Sequence, residues 1–397
     1  MKRLILLLLF FLALIMFFLR PTAVSCAENK SKEEVEKEIE SEIERYVDSL
    51  DLSEFEAYLE TLDTPSDFSD RSIRSLIGKF VKGEIPLEVG SLLTFLAEQA
   101  LGALTGTLAS LLTVMIIAVM SSILSGLTSG FVKKQTIEIV HYVFYALVVS
   151  IVMAKIGGIV GECRAFCTGI EKLTDSVFPP LILLMSALGG SVSSSIYKPQ
   201  LAFFTAIISK IFGKVILPLF VASIAFCLIG NLSSQIKMDK IQSAIRYSSN
   251  LIVSAVFGLF MTYLTIAGIT GGMVDGVGIK AAKFVLSGYV PILGGYLSQG
   301  FDLISAGCVL IKNSIGMIGI ISVIFLIVRP ILHVTIYSFA LKIVASFVQP
   351  IGDKRISDFL YSVSNATKIL VTAILGSGFV MILTLLLMIV SCNVGVL

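Results

Sequence analysis

The sequence predicts an all-α, polytopic helical membrane protein with seven to nine membrane segments, some short or broken, and a short N-terminal extracytoplasmic helical region. Of its 397 residues, 56% are hydrophobic and only 15% are charged, whereas roughly a quarter of the residues in a soluble domain carry charge. As a dissolved monomer, a chain of this size would expose more apolar surface than one core hides. Its acidic residues are also concentrated near the amino end. Together these observations exclude a soluble globular enzyme and a disordered chain.

The amino end has the order of a secretory signal peptide, predicted over residues 1–27. Two basic residues precede an uninterrupted apolar run over residues 4–19, and small residues stand before a cleavage point after Ala27. Two alternatives remain open, an uncleaved signal anchor and a lipoprotein anchored through Cys26. After cleavage or lipidation, the following segment begins on the outer side of the membrane.

Residues 28–70 are predicted to be an acidic extracytoplasmic helical segment that ends in a linker. They hold 16 of the 28 acidic side chains but only four of the 30 basic ones. Apolar residues recur every four positions from Val35 to Val47, which is the spacing of one helix face. A docking helix and a solvated helix without a partner both fit this pattern. Pro65 and its polar neighbours predict the linker over residues 61–70.

Residues 71–85 are predicted to form a basic amphipathic helix. Apolar residues fall on one face and basic residues on the other, which is typical of a helix lying in the lipid headgroup layer. An ordinary soluble helix of the same outer domain is the alternative. The apolar residues are Ile73, Leu76, Ile77, Phe80 and Val81, and the basic ones are Arg71, Arg74, Lys79 and Lys82.

The rest of the chain, which begins with the first membrane helices over residues 86–175, consists of apolar runs broken by short polar stretches. About 20 apolar residues are needed to cross a bilayer. Two shorter runs, residues 177–190 and 284–300, contain prolines and glycines and favour re-entrant or unwound segments. Charge bias between the loops leaves the orientation open. The full-length candidates are residues 104–128, 138–160, 215–235, 251–273, 313–329, 331–349 and 369–391.

A weak internal repeat relates residues 176–275 to residues 276–397. Pro180 corresponds to Pro291, each followed by a glycine pair, and two further correspondences keep the same order at offsets of 112 and 115 residues. Chance similarity between apolar sequences is the alternative. A real repeat is typical of pores and transporters, in which interrupted segments of two halves meet near the midplane.

No motif in the sequence indicates catalysis. The chain has only two histidines, and it contains no zinc-protease helix, metal triad, phosphate-binding loop or serine-hydrolase elbow. Five cysteines lie beyond the signal peptide and are interpreted as packing residues, because no second pair completes a zinc site. The sequence therefore predicts neither an enzyme nor a cofactor or metal. Basic residues scattered singly between apolar runs also argue against nucleic-acid binding.

Charged and helix-breaking residues within the apolar runs are the candidate functional positions, because a charge at the bilayer centre costs at least about 2.5–3.5 kcal/mol. Most of the basic residues are explained by snorkelling to the interface, and the remainder would line a hydrated path for anionic or neutral cargo. The basic residues of this kind are Lys155, Lys210, Lys214, Lys312, Arg329 and Lys342. The candidate pore or broken-helix positions are Pro180, Gly189, Gly190, Pro291, Gly294, Gly295, Asp275, Lys312 and Arg329.

Pairs of glycines four residues apart, including Gly102 with Gly106 and Gly157 with Gly161, indicate close helix packing. Packing within the chain and contacts between subunits are the two interpretations.

Several runs, taken in order, resemble the stage III sporulation protein AE family of endospore formers. The likeness covers nearly the whole chain after the signal peptide. None of the runs is a catalytic signature, so the resemblance is specific only because all of the runs occur together in this order. The runs are residues 50–53 (LDLS), 178–185 (FPPLILLM), 276–284 (GVGIKAAKF), 290–295 (VPILGG), 309–313 (VLIKN) and 349–352 (QPIG).

This resemblance implies a mother-cell membrane component of the transenvelope complex that joins mother cell and engulfed forespore and supports late forespore development. The implied partners are ring-forming bitopic subunits, a secretion-type ATPase, a forespore protein across the intermembrane space, and the lipid bilayer. The resemblance transfers no residue-level site. Two functions follow as hypotheses, a platform or channel subunit of that complex and a stand-alone secondary transporter or permease for a small solute.

Overall fold

The computed structural model describes residues 47–48, 50–69, 72–84, 87–128, 134–232, 238–289, 294–351 and 354–392. The predicted signal peptide and residues 28–46 of the predicted acidic segment (28–70) lie outside the described residues.

Every regular element in the described ranges is a helix, which confirms the predicted all-helical class. The N-terminal part contains α1 (Ser53–Glu60), α2 (Ser66–Ser69) and α3 (Ile73–Val81). The bundle then follows as α4 (Val89–Thr128), α5 (Lys134–Ala187), α6 (Ser191–Ile207), a π-helix (Ile208–Ile216), α7 (Leu217–Leu232), α8 (Asp239–Tyr289), α9 (Gly294–Ile351), α10 (Lys354–Ala366) and α11 (Lys368–Val390).

Six helical stretches of the described residues are long and apolar enough to cross a membrane. This number is below the predicted seven to nine, because runs that were counted separately belong to single helices. Residues 313–329 and 331–349 are joined through Pro330 in α9, and α5 joins residues 138–160 to the short run at 177–190. Neighbouring buried helices can compensate for the N–H that proline lacks.

The prolines of the 177–190 run do not interrupt α5, which continues through Pro180 and ends at Ala187. The break falls at the following glycines. Gly189 has a φ of +82°, and the amide of Gly190 donates to the Met185 carbonyl at 2.9 Å. A positive φ at the end of a helix favours glycine because a side chain there would be strained.

Helix α9 is the centre of the bundle and packs against α4, α5, α10 and α11. Contacts define the directions: the Tyr337 hydroxyl donates to the Val152 carbonyl, while the Val177 side chain lies beside Gly319, so α5 and α9 are antiparallel. We call the end of the bundle that contains Lys312 the upper end, and the end where α9 is followed by α10 the lower end.

The two segments of the predicted repeat have the same order of elements. In each, the chain descends through a long helical stretch and ascends again through a helix or helix pair. In the first segment the chain descends through α6, the π-helix and α7 and ascends through α8. In the second segment it descends through α9 and ascends through α10 and α11. The duplication stays a prediction, and this order corresponds to a parallel repeat with two crossings per unit.

Exposed apolar side chains in the lower half of the bundle form what we call the apolar belt. Along α4 the belt extends from Leu101 to Ile123, about 33 Å at 1.5 Å per residue, which matches the roughly 30 Å hydrocarbon thickness of a bilayer. Its members on three helices are Leu101, Leu104, Leu108, Leu112, Ile116, Met120 and Ile123 of α4, Ile139, Val143 and Leu147 of α5, and Phe339, Ile343 and Phe347 of α9.

The long helices continue upward beyond this belt. Helix α5 has 54 residues, about 81 Å at the α-helical rise, and its part above Glu162 carries exposed charges at Arg164, Lys172 and Asp175. Charged side chains do not face lipid hydrocarbon without large cost. This face of the upper half is therefore suited to water or to partner proteins.

Two of the glycine pairs in the described part of the chain do not pack closely against other helices. A Cβ atom built on Gly102, Gly106, Gly157 or Gly161 would meet nothing within 4 Å. The close approaches occur at other glycines, most tightly at Gly378. For these two pairs the interpretation as intrachain packing is therefore wrong.

Candidate functional site

The N-terminal segment, by which we mean residues 50–84, packs on the flank of the bundle through an aromatic cluster. Phe68 is 2% exposed, and its ring meets the Phe325 ring of α9 edge-on at a centroid distance of 5.7 Å. Phe95 of α4 contacts the same ring at 5.5 Å. Edge-to-face aromatic pairs add about 0.5–1.5 kcal/mol beyond their buried area. The stretch predicted as a linker thus contributes a buried anchor through α2.

A hydrogen bond joins the same segment to α5. The Tyr58 hydroxyl donates to the Gly169 carbonyl at 3.0 Å, and burial raises the pKa of Tyr58 above its usual range. Gly169 permits close helix packing here, because a Cβ at this position would lie 2.7 Å from Leu326 Cδ1. Tyr58 therefore docks as a neutral phenol.

Helix α3 is also part of this docked unit. Ile73, Leu76 and Ile77 are buried and α3 packs on α9, so its apolar side is covered by protein rather than free to enter a headgroup layer. The Ile73 amide donates to Glu56 Oε1 at 3.3 Å, which links α3 back to α1.

Asp63 forms the polar edge of the docking contact. Its Oδ2 accepts a hydrogen bond from Gln99 Nε2 at 2.8 Å and lies 3.6 Å from Arg329 Nη1. The side chains of Arg329 and Asp63 are both more than half exposed, and exposed ion pairs contribute only about 0–1 kcal/mol. Arg329, a predicted pore position, is thus paired with the N-terminal segment in the structure.

One helical turn below Arg329, an acid and a base meet between α5 and α9. Nδ1 of His333 lies 2.8 Å and 2.9 Å from the two carboxylate oxygens of Glu162. Their side chains are 23% and 32% exposed, respectively. Such a pair between two long apolar helices marks a candidate functional position, because ionisable groups in membrane segments are expensive unless they are paired or serve a function.

Lys312 occupies the upper end of the bundle and is completely buried. Its ammonium group donates to the Ser391 carbonyl at the end of α11. The Ser391 hydroxyl in turn lies 2.9 Å from the Tyr197 hydroxyl of α6. The last carbonyls of a helix lack partners within that helix and carry partial negative charge. The positive charge of Lys312 therefore faces the partially negative end of α11, and the contact through Ser391 connects α9 and α11 to α6.

The remaining predicted positions are distributed over both described and undescribed residues. Pro180 is buried within α5, and Gly189 and Gly190 form the turn that leads into α6. Asp275 lies within α8, and Gly294 and Gly295 begin α9, where the backbone alone is described. Pro291 lies outside the described residues.

The structure brings together some of these positions and separates others. Lys312 and the Gly189–Gly190 turn share the upper end, because α6 follows this turn and carries Tyr197. Arg329 is 17 residues further along α9, about 25 Å away at 1.5 Å per residue. The predicted positions therefore belong to at least two separate places.

Glu162, the acid that pairs with His333, is not among the positions predicted from the sequence. Its signal was available: Glu162 is the first acidic residue after Glu138 in a long apolar run. The charged positions predicted in the apolar runs comprise only basic residues and Asp275. The aromatic anchor Phe68 left no comparable signal, because it stands alone in a polar stretch.

The five cysteines beyond the predicted signal peptide are buried and none forms a disulfide. Within the described ranges, no three His, Cys, Asp or Glu side chains are grouped in a way that could hold a metal ion.

The apolar belt, the six long apolar helices and the charged upper half define a polytopic helical membrane protein. Residues 71–392 match the sequence model of the Stage III sporulation protein AE family, and the chain belongs to this family. Stage III sporulation protein AE of Bacillus subtilis (strain 168) is 21% identical over 305 residues, which cover 76% of this chain and 75% of that relative. No solved structure matches the chain. Membership of the family implies a role in sporulation.

Proposed function

We propose that this chain is a membrane-embedded platform or channel subunit of a multiprotein transenvelope complex that links mother cell and forespore during endospore formation. In this proposal it lies in the mother-cell membrane, which is the outer forespore membrane after engulfment, with its N-terminal segment extracytoplasmic. Its role is to support late forespore development.

The observation that carries the proposal is the upper half of the bundle. Helix α5 rises about 38 Å above Glu162, and the N-terminal segment is docked beside this extension through Tyr58 and Phe68. A permease that works alone needs no such outer structure. A platform needs it, because its partners must find a rigid surface outside the bilayer.

The proposed partners follow from the two ends of the bundle. The charged face at Arg164 and Lys172 would contact ring-forming subunits in the intermembrane space. The lower end, with exposed Lys240 and Lys354, would face the mother-cell cytoplasm and a secretion-type ATPase.

The test exchanges charges at one end at a time in a sporulating strain that lacks its own copy of the chain. The upper variant is Arg164→Glu with Lys172→Glu, and the matched control is Lys240→Glu with Lys354→Glu. All four side chains are exposed, so both double variants are expected to fold and reach the membrane. The readouts are heat-resistant spores and the proteins that co-purify with the tagged chain.

We expect the upper variant to lose the ring-forming subunits and most heat-resistant spores, while it retains the ATPase. The control is expected to keep the ring-forming subunits. The proposal is refuted if the upper variant, present at normal level in the membrane, still purifies with the ring-forming subunits.

The alternative, a stand-alone secondary transporter or permease, is supported by the contact between His333 and Glu162. An acid and a base between core helices are typical of proton-coupled transporters. Purified protein in liposomes separates the two functions. Saturable flux of one solute that follows a proton gradient and is lost in Glu162→Gln would favour the transporter.

A further inference from the structure

A groove opens beside α3, between this helix and residues 47–48. Its volume is about 560 Å³. Since a cavity of about 150 Å³ already takes a benzene ring, several side chains fit into it. A groove with apolar and charged walls is suited to an amphipathic helix. Its lining residues on α3 include the apolar Ile77 and Val81, the small Gly78, and the basic Arg74, Lys79 and Lys82.

This groove lies above the apolar belt, where water or protein surrounds it. Phe68 and Phe95 both contact Phe325, and Phe95 lies six residues, about 9 Å, above Leu101, the first residue of the belt. Helix α3 connects Phe68 to the start of α4 at Val89, which lies a further rise of about 9 Å up. Charged side chains can therefore line the groove without facing hydrocarbon.

The chain reaches this groove at Val47 and Asp48, which are helical and line its first part. Val47 is only 5% exposed, and Asp48 Oδ1 forms an ion pair with Arg74 Nη1 at 3.0 Å. Val47 also belongs to the apolar spacing of four residues that extends upstream through Ile43 and Ile39. A helix that continues this turn upstream would therefore place the same apolar face against the groove.

The ion pair sets the register between such a helix and α3. The groove extends along α3 from Arg74 to Lys82, so a helix leading upstream from Asp48 would run antiparallel to α3. Each turn upstream of Asp48 then corresponds to one turn further along α3, because about four residues make one helical turn. Glu40, two turns before Asp48, would face Lys82, two turns after Arg74.

Gly78 leaves room for this helix. A Cβ atom at Gly78 would meet nothing within 4 Å, although Gly78 stands inside α3, where alanine would be more stable than glycine. Glycine in a helix permits the close approach of another backbone. Ile43, one turn upstream of Val47, would lie over Gly78 and Val81.

The charges of the two surfaces are complementary. Residues 28–46 carry eight acidic and four basic side chains, a net charge of −4. The groove is lined by three basic residues and by the acidic Asp48 and Glu84, which gives it a net charge of +1. Opposite charges across a contact fix its register and disfavour wrong partners.

We propose that residues 36–46 form a helix that docks antiparallel on α3 in this groove, with Ile43 over Gly78 and Glu40 paired with Lys82. Isolated helices of this length are marginal in water, so docking is what holds the helix together. Of the two interpretations that fit the sequence, the docking helix is therefore chosen over the solvated one. The docked helix would add about 16 Å of helical surface to the outer part of the protein, and it does not depend on the proposed function.

The experiment measures hydrogen exchange by mass spectrometry on the full chain purified in mild detergent. One variant, Gly78→Leu, fills the groove. Its matched control, Gly90→Leu, changes another open helical glycine that does not line the groove. A second pair tests the register: Lys82→Glu reverses one charge, and Lys82→Glu with Glu40→Lys restores opposite charges. The readouts are the amides of residues 36–46 and, for comparison, those of α1.

We expect residues 36–46 to be protected in the wild type and in Gly90→Leu. Gly78→Leu should raise their exchange to the rate of an unstructured peptide, while α1, held by Tyr58, keeps its protection. Lys82→Glu should speed their exchange about two- to fivefold, the range for loss of an exposed ion pair, and the double reversal should return it to the wild-type rate. Should Gly78→Leu not fold, the reversal at Lys82, an exposed position, provides the test.

Four results would overturn the inference. The first is exchange of residues 36–46 at the unstructured rate in the wild type, which would mean that they are solvated. The second is equal exchange in Gly78→Leu and Gly90→Leu, which would place the helix elsewhere. The third is a double reversal that does not restore the wild-type rate, which would contradict the register. The fourth is protection that is lost on dilution, which would show that a second copy of the chain supplies the helix.

Discussion

Replacing the aromatic anchor of the N-terminal segment, Phe68→Ala, should undock this segment without unfolding the bundle. Phe68 is 2% exposed and packs on Phe325, and truncation of a buried phenylalanine to alanine costs about 3–5 kcal/mol. Since each 1.4 kcal/mol is a factor of ten in an equilibrium, the lower value increases the undocked population about 150-fold. The increase stops when the segment is undocked in most molecules.

Hydrogen exchange measured by mass spectrometry on the purified protein provides the assay. Amides of α1 and α3 should exchange up to about 150-fold faster, because they are released with the segment, while those of α9 keep their protection. Phe339→Ala is the matched control, since Phe339 lies on α9 but is 52% exposed. If both variants exchange alike in α1 and α3, the docking through Phe68 is refuted.

Three further predictions concern single contacts. Tyr58→Phe removes the hydrogen bond to the α5 carbonyl and should weaken docking by about 1 kcal/mol, seen as roughly fivefold faster exchange in α1. Burial raises the pKa of Tyr58 in the folded protein, so the neutral phenol contributes fully to the free energy of docking below the unfolded pKa of about 10. This contribution declines as pH rises above that value, and the decline should be absent from Tyr58→Phe. Gly378→Ala places a Cβ against a neighbouring isoleucine and should cost about 1–3 kcal/mol, whereas Gly157→Ala, at an open helical position, should stabilise by about 0.5–1 kcal/mol; equal unfolding midpoints would contradict this. Lys312→Met leaves the Ser391 carbonyl without the donated ammonium hydrogen bond and should cost about 1–3 kcal/mol, measured as a lower midpoint of thermal unfolding in detergent, with no change as the contrary result.

Much of the architecture was accessible from the sequence because membrane helices are defined by local composition. The run at residues 104–128 lies within α4, and the run at residues 369–391 lies within α11 except for its last residue. The lengths of the helices were not accessible in the same way. Pro330 stands between two predicted crossings, but α9 continues through it because packed neighbours compensate for its missing N–H.

The predicted sites were less accessible, because a side chain's role depends on what faces it. Lys312 was selected as a charge in an apolar run, and only the end of α11 shows that it holds a helix terminus. Arg329 was selected in the same way and turned out to face Asp63, 266 residues earlier in the chain. No periodicity in either segment could have paired them.

By itself, the sequence determined the helical class, the membrane environment and the family, since each of these depends on composition or on short ordered runs. The tertiary structure alone decided that the N-terminal segment docks through Phe68 and Tyr58, that His333 meets Glu162, and that Lys312 holds the end of α11. The physical reason is that these contacts join residues from different helices, and their distances depend on how the helices pack rather than on the pattern within any one of them.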